Sequence, residues 1–565
     1  MSANITLEPL AGLNIGYVAG LDFTLSEGNQ FTPGTSYSET HSGIPEIERG
    51  IFQKFKNTLA NFSSNLRVTY NHTFAKVHDL TIGVNMDYYR MNSDNALLRG
   101  YGVGNLNSAA AINQSLHGSR QPYVSAPRDR SAQLGTGVVL GYTYNSIYDF
   151  YGTFKSDASS VLPKEKRWNN AWAMGIGWSP TNYSWLHDNK VLTMLKFKAS
   201  YGITANLNGV SISNTVGSFR YATTSYENQR PLDFVSLYNK DLKPEQNKEF
   251  DLGMEFDLWK RFTFSINWYN RKTEDALLDV PIPSSTGYTS MKRNIGTLQN
   301  KGVELGTNIK IIDTYDLRLT VGANMAYNSN KVIDLYYTDR IYTSEEALVP
   351  DYQVGKSYDM IYGPVSLGIN PLTGYPVFRT PSGEKQATEA LLKDDVAALG
   401  HLTPPYSGTF NLTFFWKSLE LDADFYWVSG GKQRFNYSYV RNRDNANKNA
   451  VQGQTDKMWF KMGDENKTYW TPYYTSSVAE DNIALYPNSR TVGKSDYMKL
   501  SMVSLKYHVS GYWLERHLPF ISYATVGLQG SNLLSFTNYK ESDPESGTLA
   551  GTIQPVYTFN LSLTF

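Results

Sequence analysis

Tyr557-Thr558-Phe559-Asn560-Leu561-Ser562-Leu563-Thr564-Phe565 alternates apolar and polar residues without a break and stops on an aromatic ring. A strand repeats every two residues, so Tyr557, Phe559, Leu561, Leu563 and Phe565 share one face. Termini of soluble proteins tend to fray into solvent, which makes a terminal phenylalanine unusual there. In a membrane-spanning barrel the last strand closes the cylinder, and a terminal aromatic sits in the interfacial girdle. Tyr557, Phe559 and Phe565 are therefore the candidate barrel-closing residues. An edge strand of a soluble sandwich would alternate in the same way, and the rest of the chain decides between the two.

Composition points the same way. A chain of 565 residues is long for one soluble domain, yet no Pro/Ser-rich linker or charge run divides it. Lys plus Arg and Asp plus Glu each total 52, so the balance carries no nucleic-acid or polybasic signature. The absence of cysteine excludes disulfides, zinc-thiolate sites and thiol catalysis. Aromatics reach 14%, with 41 tyrosines, more than most soluble cores need, and such amphipathic rings favour membrane–water boundaries. Mean hydropathy is −0.41 and no run nears 18 apolar residues, which excludes a helical membrane protein. Alternating barrel strands escape a window average. Met1-Ser2-Ala3-Asn4 leads directly into alternating sequence with no signal-peptide pattern, so the chain is expected to be the C-terminal part of something longer.

Along the chain the pattern is one of hairpins. In 419–427, Leu419, Leu421, Ala423, Phe425 and Trp427 oppose Glu420, Asp422 and Asp424. In 249–258, Phe250, Leu252, Met254, Phe256 and Leu258 oppose Glu249, Asp251, Glu255 and Asp257. Residues 80–88 and 316–328 alternate likewise. Strands of about nine to fourteen residues suit a tilted bilayer crossing. Short connections fall near 9–12, 76–79, 145–146, 259–260, 313–315 and 417–418. Long polar ones fall near 28–45, 97–128, 206–244, 274–298, 330–404 and 431–493. Short turns at one end and long loops at the other are the outer-membrane pattern, and such loops count against a compact soluble domain. The expectation is an all-β, transmembrane antiparallel barrel domain spanning 1–565, with about seventeen strands. The strand near residues 4–10 would then run in the same direction as the last. Its partner, and the rest of the barrel, are expected outside this chain.

Specific motifs now appear. Gln529-Gly530-Ser531-Asn532-Leu533-Leu534, with Thr537-Asn538-Tyr539 and Asp543-Pro544-Glu545, resembles the penultimate-loop signature of SusC/RagA-type TonB-dependent transporters. Leu242-Lys243-Pro244-Glu245 with Glu249 and Gly253 resembles another family motif. So do Trp268-Tyr269, Asn294-Ile295-Gly296 and Asn300-Lys301-Gly302-Val303-Glu304. Lys155-Ser156-Asp157-Ala158-Ser159-Ser160 is similar to the family's Arg-x-Asp-Gly-Ser-Ser, with Lys and Ala substituted. Tyr201-Gly202-Ile203-Thr204-Ala205-Asn206 is similar to its Tyr-Gly-x-Thr-Gly-Asn, and Tyr497-Met498-Lys499-Leu500 through Leu505-Lys506-Tyr507 fits its strand near the C-terminus. The matches fall in order from about residue 140 to the end.

The resemblance implies a Gram-negative outer-membrane importer of oligosaccharides or oligopeptides, with a 22-stranded barrel and lipid and lipopolysaccharide against its outer wall. It further implies a SusD-like surface lipoprotein as lid, and TonB acting through an N-terminal portion. The plug and the TonB-contacting segment have no match here, so an upstream chain or unnumbered residues are expected to carry the plug and remaining strands. No enzymatic activity, cofactor, metal or nucleic-acid partner is expected. The eight histidines show no tight ligand spacing.

Glu420, Asp422, Asp424, Asp251 and Glu255 are expected to face the lumen, solvated or paired with basic residues. The long loops carry Trp459, Tyr469, Trp470, Tyr473 and Tyr474, and Tyr336 and Tyr337, as candidates for substrate or partner contact. Such rings stack on sugars or peptide side chains, or else fix the loop. Two rival readings remain: a scaffold barrel within a larger outer-membrane complex, and an open diffusion porin.

Overall fold

The computed structural model describes residues 1–565 except 115–119, 208, 222–230, 343–346, 382, 387–391, 435–454, 468, 472–487, 540–542 and 547–552. Strand accounts for 63% of it and helix for 7%, in a large antiparallel sheet with 17 strands. The chain divides into two units.

The first unit comprises Met1–Asn145, Asp149–Met174 and Leu207–Pro244. It holds β1 (Ser2–Leu10), β2 (Leu13–Thr32), β3 (Ile51–Phe74), β4 (His78–Tyr101) and β5 (Arg128–Tyr144), most of β6 (Tyr148–Ser159) and the start of β7 (Trp168–Trp178). Strands β1 to β5 pair antiparallel in sequence order. The Ser160 N–H donates to Ala132 O at 2.9 Å and ties the end of β6 to β5. The β3–β4 register is unbroken from Ile51↔Tyr101 to Phe74↔His78.

Short turns close the hairpins because consecutive residues adopt left-handed φ. Ala75 and Lys76 lie at 51° and 62°, and Asn145 and Ser146 at 51° and 55°. That geometry matches the right-handed twist of the flanking strands. Beside the first turn the apolar face of β3, β4 and β5 ends in a row of neighbouring rings, most of them stacked. Tyr70 and His72 lie 5.9 Å apart, His72 and Phe74 5.8 Å, Phe74 and His78 5.3 Å, and His78 and Tyr144 5.1 Å. This is the aromatic girdle expected where a barrel strand leaves a bilayer.

The second unit comprises Ser146–Tyr148, Gly175–Asn206 and Glu245–Phe565. It contains β8 (Leu192–Asn206), β9 (Glu245–Leu258), β10 (Phe262–Glu274), β11 (Thr297–Asp313) and β12 (Leu317–Asp334). It continues with β13 (Tyr406–Trp416), β14 (Leu419–Ser429), β15 (Tyr497–His508), β16 (Tyr523–Thr537) and β17 (Val556–Thr564). Each pairs antiparallel with the next, an up-and-down meander. Trp259 and Lys260, at φ 53° and 58°, close β9 onto β10.

Three expectations need correction. Strands reach 24 residues rather than fourteen, because β2, β4 and β12 continue into segments whose polar composition resembled loop. The long connections accordingly begin at residues 33, 102 and 335. The Gln529–Leu534 motif lies inside β16, not in a loop. Its pairing with β15 slips between Leu500↔Leu534 and Met502↔Ser531, and Asn532 takes up the extra length at φ 57°. Asparagine tolerates that left-handed bulge position better than most residues.

Burial is concentrated in the connections. Ile369, Phe378, Trp459 and Trp470 form one core in the second unit's longest loops, flanked by Leu348, Tyr375 and Val396. Ala276, Leu278, Ile295, Val332, Leu335 and Ile341 form another where β10, β11 and β12 end. Along the strands, by contrast, large apolar residues lie open, such as Leu528 at 61% exposed and Leu561 at 57%.

Candidate functional site

Alternation and register together draw one continuous polar face across the second unit. Asp251 stands opposite Tyr269 and Glu255 opposite Ser265. Asn267 stands opposite Glu304, Gly306 opposite Asn324 and Asn324 opposite Thr409. Asn411 faces Asp424, Thr413 faces Asp422 and Phe415 faces Glu420. Lys506 then ion-pairs with Glu420 at 2.7 Å and Asp422 at 3.0 Å, and His508 Nε2 lies 2.8 Å from Glu420. Lys198 pairs with Glu255, the Ser200 hydroxyl donates to Asp251 at 3.3 Å, and Arg271 grips Glu249 with two hydrogen bonds. The predicted polar residues thus share one face and mostly have partners. Most of the leucines and phenylalanines between them take the other, Phe415 excepted.

At the loop end this face opens into a cavity of about 600 Å³. It is bounded by the ends of β11, β12 and β13 and by the segments around Lys356 and His401. Its frame is set by the backbone: Val332 N–H donates to Lys356 O, Gly355 N–H to Val332 O and Asn328 N–H to Pro405 O. On that frame stands a ladder of three amides. Asn300 Oδ1 accepts from Asn328 Nδ2 at 3.2 Å and from Asn330 Nδ2 at 2.8 Å. The Tyr269 hydroxyl donates to Asn328 Oδ1 at 3.0 Å, and Tyr358 N–H to Asn330 Oδ1 at 3.0 Å. Gly302 is required beside the ladder, since a Cβ there would lie 2.1 Å from Tyr327 O.

Asp359 also lines the cavity. Burial pushes its carboxyl pKa up, but hydrogen bonds from Ser357 Oγ and Thr403 N outweigh that and hold it below the ordinary aspartate value. It is an anion with its oxygens already engaged. Nearby, Tyr362 is 3% exposed and its hydroxyl has no partner among the described residues. Burial drives its pKa up to about 12, so it stays un-ionised.

The motif residues frame the same rim. Glu245 accepts from Leu277 N at 2.7 Å and from Asn206 Nδ2 at 3.0 Å, stitching β8 and the β10–β11 loop to the start of β9. Asn294 Nδ2 donates to Asp275 O at 3.0 Å.

The aromatic candidates divide. Trp459 and Trp470 are buried in the loop core, where Trp459 packs against Gly374. Tyr469 N–H donates to Lys457 O beside them. Tyr336 and Tyr337 are exposed and meet edge to face at 6.5 Å. Tyr473 and Tyr474 lie outside the described residues. Tyr557, Phe559 and Phe565 are all exposed along or just beyond β17. Sequence reasoning assigned no site role to the Asn300–Asn328–Asn330 ladder, Lys356 or Asp359. The available signal was the run of asparagines on the polar side of two adjacent strands.

In the first unit, Glu39 is only 2% exposed and is gripped by Arg120 Nη1 at 2.6 Å and Nη2 at 3.0 Å. The Arg120 hydrogen bond overcomes the cost of burial and, with Gly50 N–H, depresses the Glu39 pKa. This joins loop 33–50 to loop 102–127.

A family model described as TonB dependent receptor-like, beta-barrel, matches residues 6–475. The chain is similar to TonB-dependent receptor P39 of Formosa agariphila, 23% identical over 608 aligned positions that cover 98% of this chain and 56% of P39. It is 30% identical to TonB-dependent receptor SusC of Bacteroides thetaiotaomicron over 244 positions, 40% of this chain and 24% of SusC. TonB-dependent receptor P3 of Formosa agariphila matches at 26% identity over 87% of this chain and 49% of P3. The chain spans about half the length of P39 and P3. Among solved structures, that of the RagAB peptide transporter superposes with a TM-score of 0.81 at 22% identity, covering 100% of this chain and 62% of that one. That likeness is one of fold.

Proposed function

The chain belongs to the TonB dependent receptor-like β-barrel family, and from that premise we propose that it forms the larger part of the wall of an outer-membrane importer for oligosaccharides or oligopeptides. Its location is the outer membrane, and the family is one of non-enzymatic receptors. The observation that carries the reading is the polar face of β8–β16, backed by an apolar face and opening at its loop end into the amide-lined cavity. A lumen needs a polar wall, and lipid needs an apolar one. In this reading Glu420, Asp422, Asp424, Asp251 and Glu255 line the passage, and Tyr557, Phe559 and Phe565 belong to the strand that closes the wall. A SusD-like surface lipoprotein caps the loop end, and exposed Tyr336 and Tyr337 are the docking rings it would use.

Uptake of fluorescent oligosaccharides and oligopeptides by cells with and without functional TonB tests the proposal. Uptake that disappears without TonB is the expected result. Uptake unchanged by loss of TonB, or no uptake of any oligomer, overturns it in favour of the scaffold role.

A further inference from the structure

Which oligomer the loop-end cavity takes is written in its spent and unspent hydrogen-bonding groups. The orientation of the amide ladder is fixed by a single backbone group. Tyr358 N–H can only donate, so the atom it meets on Asn330 is Oδ1. Asn330 therefore turns its Nδ2 to Asn300, whose Oδ1 receives it together with Asn328 Nδ2. Asn328 Oδ1 is taken by the Tyr269 hydroxyl. Each of the three amide oxygens and each oxygen of Asp359 thus accepts a hydrogen bond within the protein, and Asn300 Oδ1 accepts two. His401 Nδ1 is committed to Thr403 O at 2.8 Å.

Groups that can only donate are among those left over. Asn300 Nδ2 makes no hydrogen bond among the described residues, and Asn328 and Asn330 each keep one N–H to spare. Lys356 lines the cavity with no carboxylate within ion-pair distance among the described residues. Unspent amide N–H donors together with one ammonium complement a ligand group that accepts hydrogen bonds and carries negative charge. A sugar hydroxyl accepts as readily as it donates, and a uronate carboxylate or sulfate ester only accepts. The volume lies within the range of about 300–1,000 Å³ usual for small-ligand sites.

We propose that this cavity is a recognition subsite for an acidic oligosaccharide, with Asn300 and Lys356 receiving its carboxylate or sulfate group. The assignment rests on the importer reading for its physiological meaning, but the binding itself does not require transport.

The test is titration calorimetry on the complete detergent-solubilised transporter with three probes of matched length: an oligogalacturonate, a neutral oligohexose and a glutamate-rich peptide. The oligogalacturonate should bind tightest, and added salt should weaken it. Lys356→Ala should weaken it by about fivefold, the scale of an exposed ion pair. Asn300→Asp, which puts an anion where the amide donates, should weaken it more than tenfold. Lys356→Glu, at an exposed position that leaves the ladder intact, should do the same and covers the case in which Asn300→Asp fails to fold. Both Lys356 variants should lower affinity for the neutral sugar less than they lower it for the oligogalacturonate. Equal binding of the neutral oligohexose, preference for the acidic peptide, or indifference to both Lys356 variants overturns the proposal. Binding as expected with TonB-independent or absent uptake would instead sink the importer reading alone.

Discussion

The strands and the loops of this protein hide opposite things. In the loops, Phe378 and Leu335 are completely buried, as in a soluble core. In the strands, apolar residues of comparable size stand open while carboxylates on the other face are paired and partly covered. Two solvents account for the difference. Loops fold in water, where burying apolar surface is the main driving force. Strands fold in lipid, where the hydrogen-bonded ladder must be complete and the apolar face needs no protein partner. The protein is thus two kinds of folded object on one chain.

The comparison makes its strongest demand at Phe378. Phe378→Ala should cost the loop core about 3–5 kcal/mol, opening the loops to protease while the strands keep their heat-resistant migration on a gel. If the strands unfold together with the loops, the two regions are not separable.

Next comes the strand face. Leu528→Arg places a charge on the lipid side of β16 and should destabilise by about 2–4 kcal/mol if near mid-bilayer. Its neighbour Gln529→Arg, on the opposite face, should assemble normally. Outer-membrane insertion of the pair is the readout, and equal tolerance would erase the assigned faces.

The third concerns the buried ion pair that helps hold the first unit's loops 33–50 and 102–127 together. The Glu39 pKa is depressed in the folded protein, so its stabilisation is present above the ordinary glutamate value and fades as pH falls through the lower folded value. Protease cleavage in 33–50 should therefore rise on acidification below the ordinary glutamate value. In Glu39→Gln, cleavage should be raised already at neutral pH and respond less to acid. The smallest effect is expected at the exposed Lys198–Glu255 pair. Lys198→Ala should change thermal stability by less than about 1 kcal/mol, because solvent and salt screen it.

Alternation made the strands legible, since one polar and one apolar face per strand is what two solvents require of a barrel wall. It worked best where lipid imposes the pattern, as in 419–427 and 80–88. It underestimated β2, β4 and β12 because their far ends carry polar runs, such as Asn92-Ser93-Asp94-Asn95 and Asn328-Ser329-Asn330-Lys331, in which the apolar–polar alternation stops. Gln529–Leu534 was legible as a motif but not as a bulge, which depends on the neighbouring strand's register. Composition located Trp459 and Trp470 in a loop, yet burial depends on Phe378 and Ile369, some eighty or more residues away along the chain. The Glu39–Arg120 clamp joins residues 81 apart, a pairing no local pattern announces. The three asparagines were visible singly. Their meaning emerged only when register set them side by side and one backbone N–H oriented them.

The β3–β4 hairpin carries a last consequence. Twenty-four residues per strand reach about 80 Å along the strand, and about 60 Å along the membrane normal at barrel tilt. A hydrocarbon band of about 25 Å uses less than half of that. The ring stack beside Ala75 and Lys76 anchors the lower end at the boundary, so most of the excess projects outward as a ribbon hydrogen-bonded along its length. It is a mast: it carries the Glu39–Arg120 clamp at a height fixed by strand length.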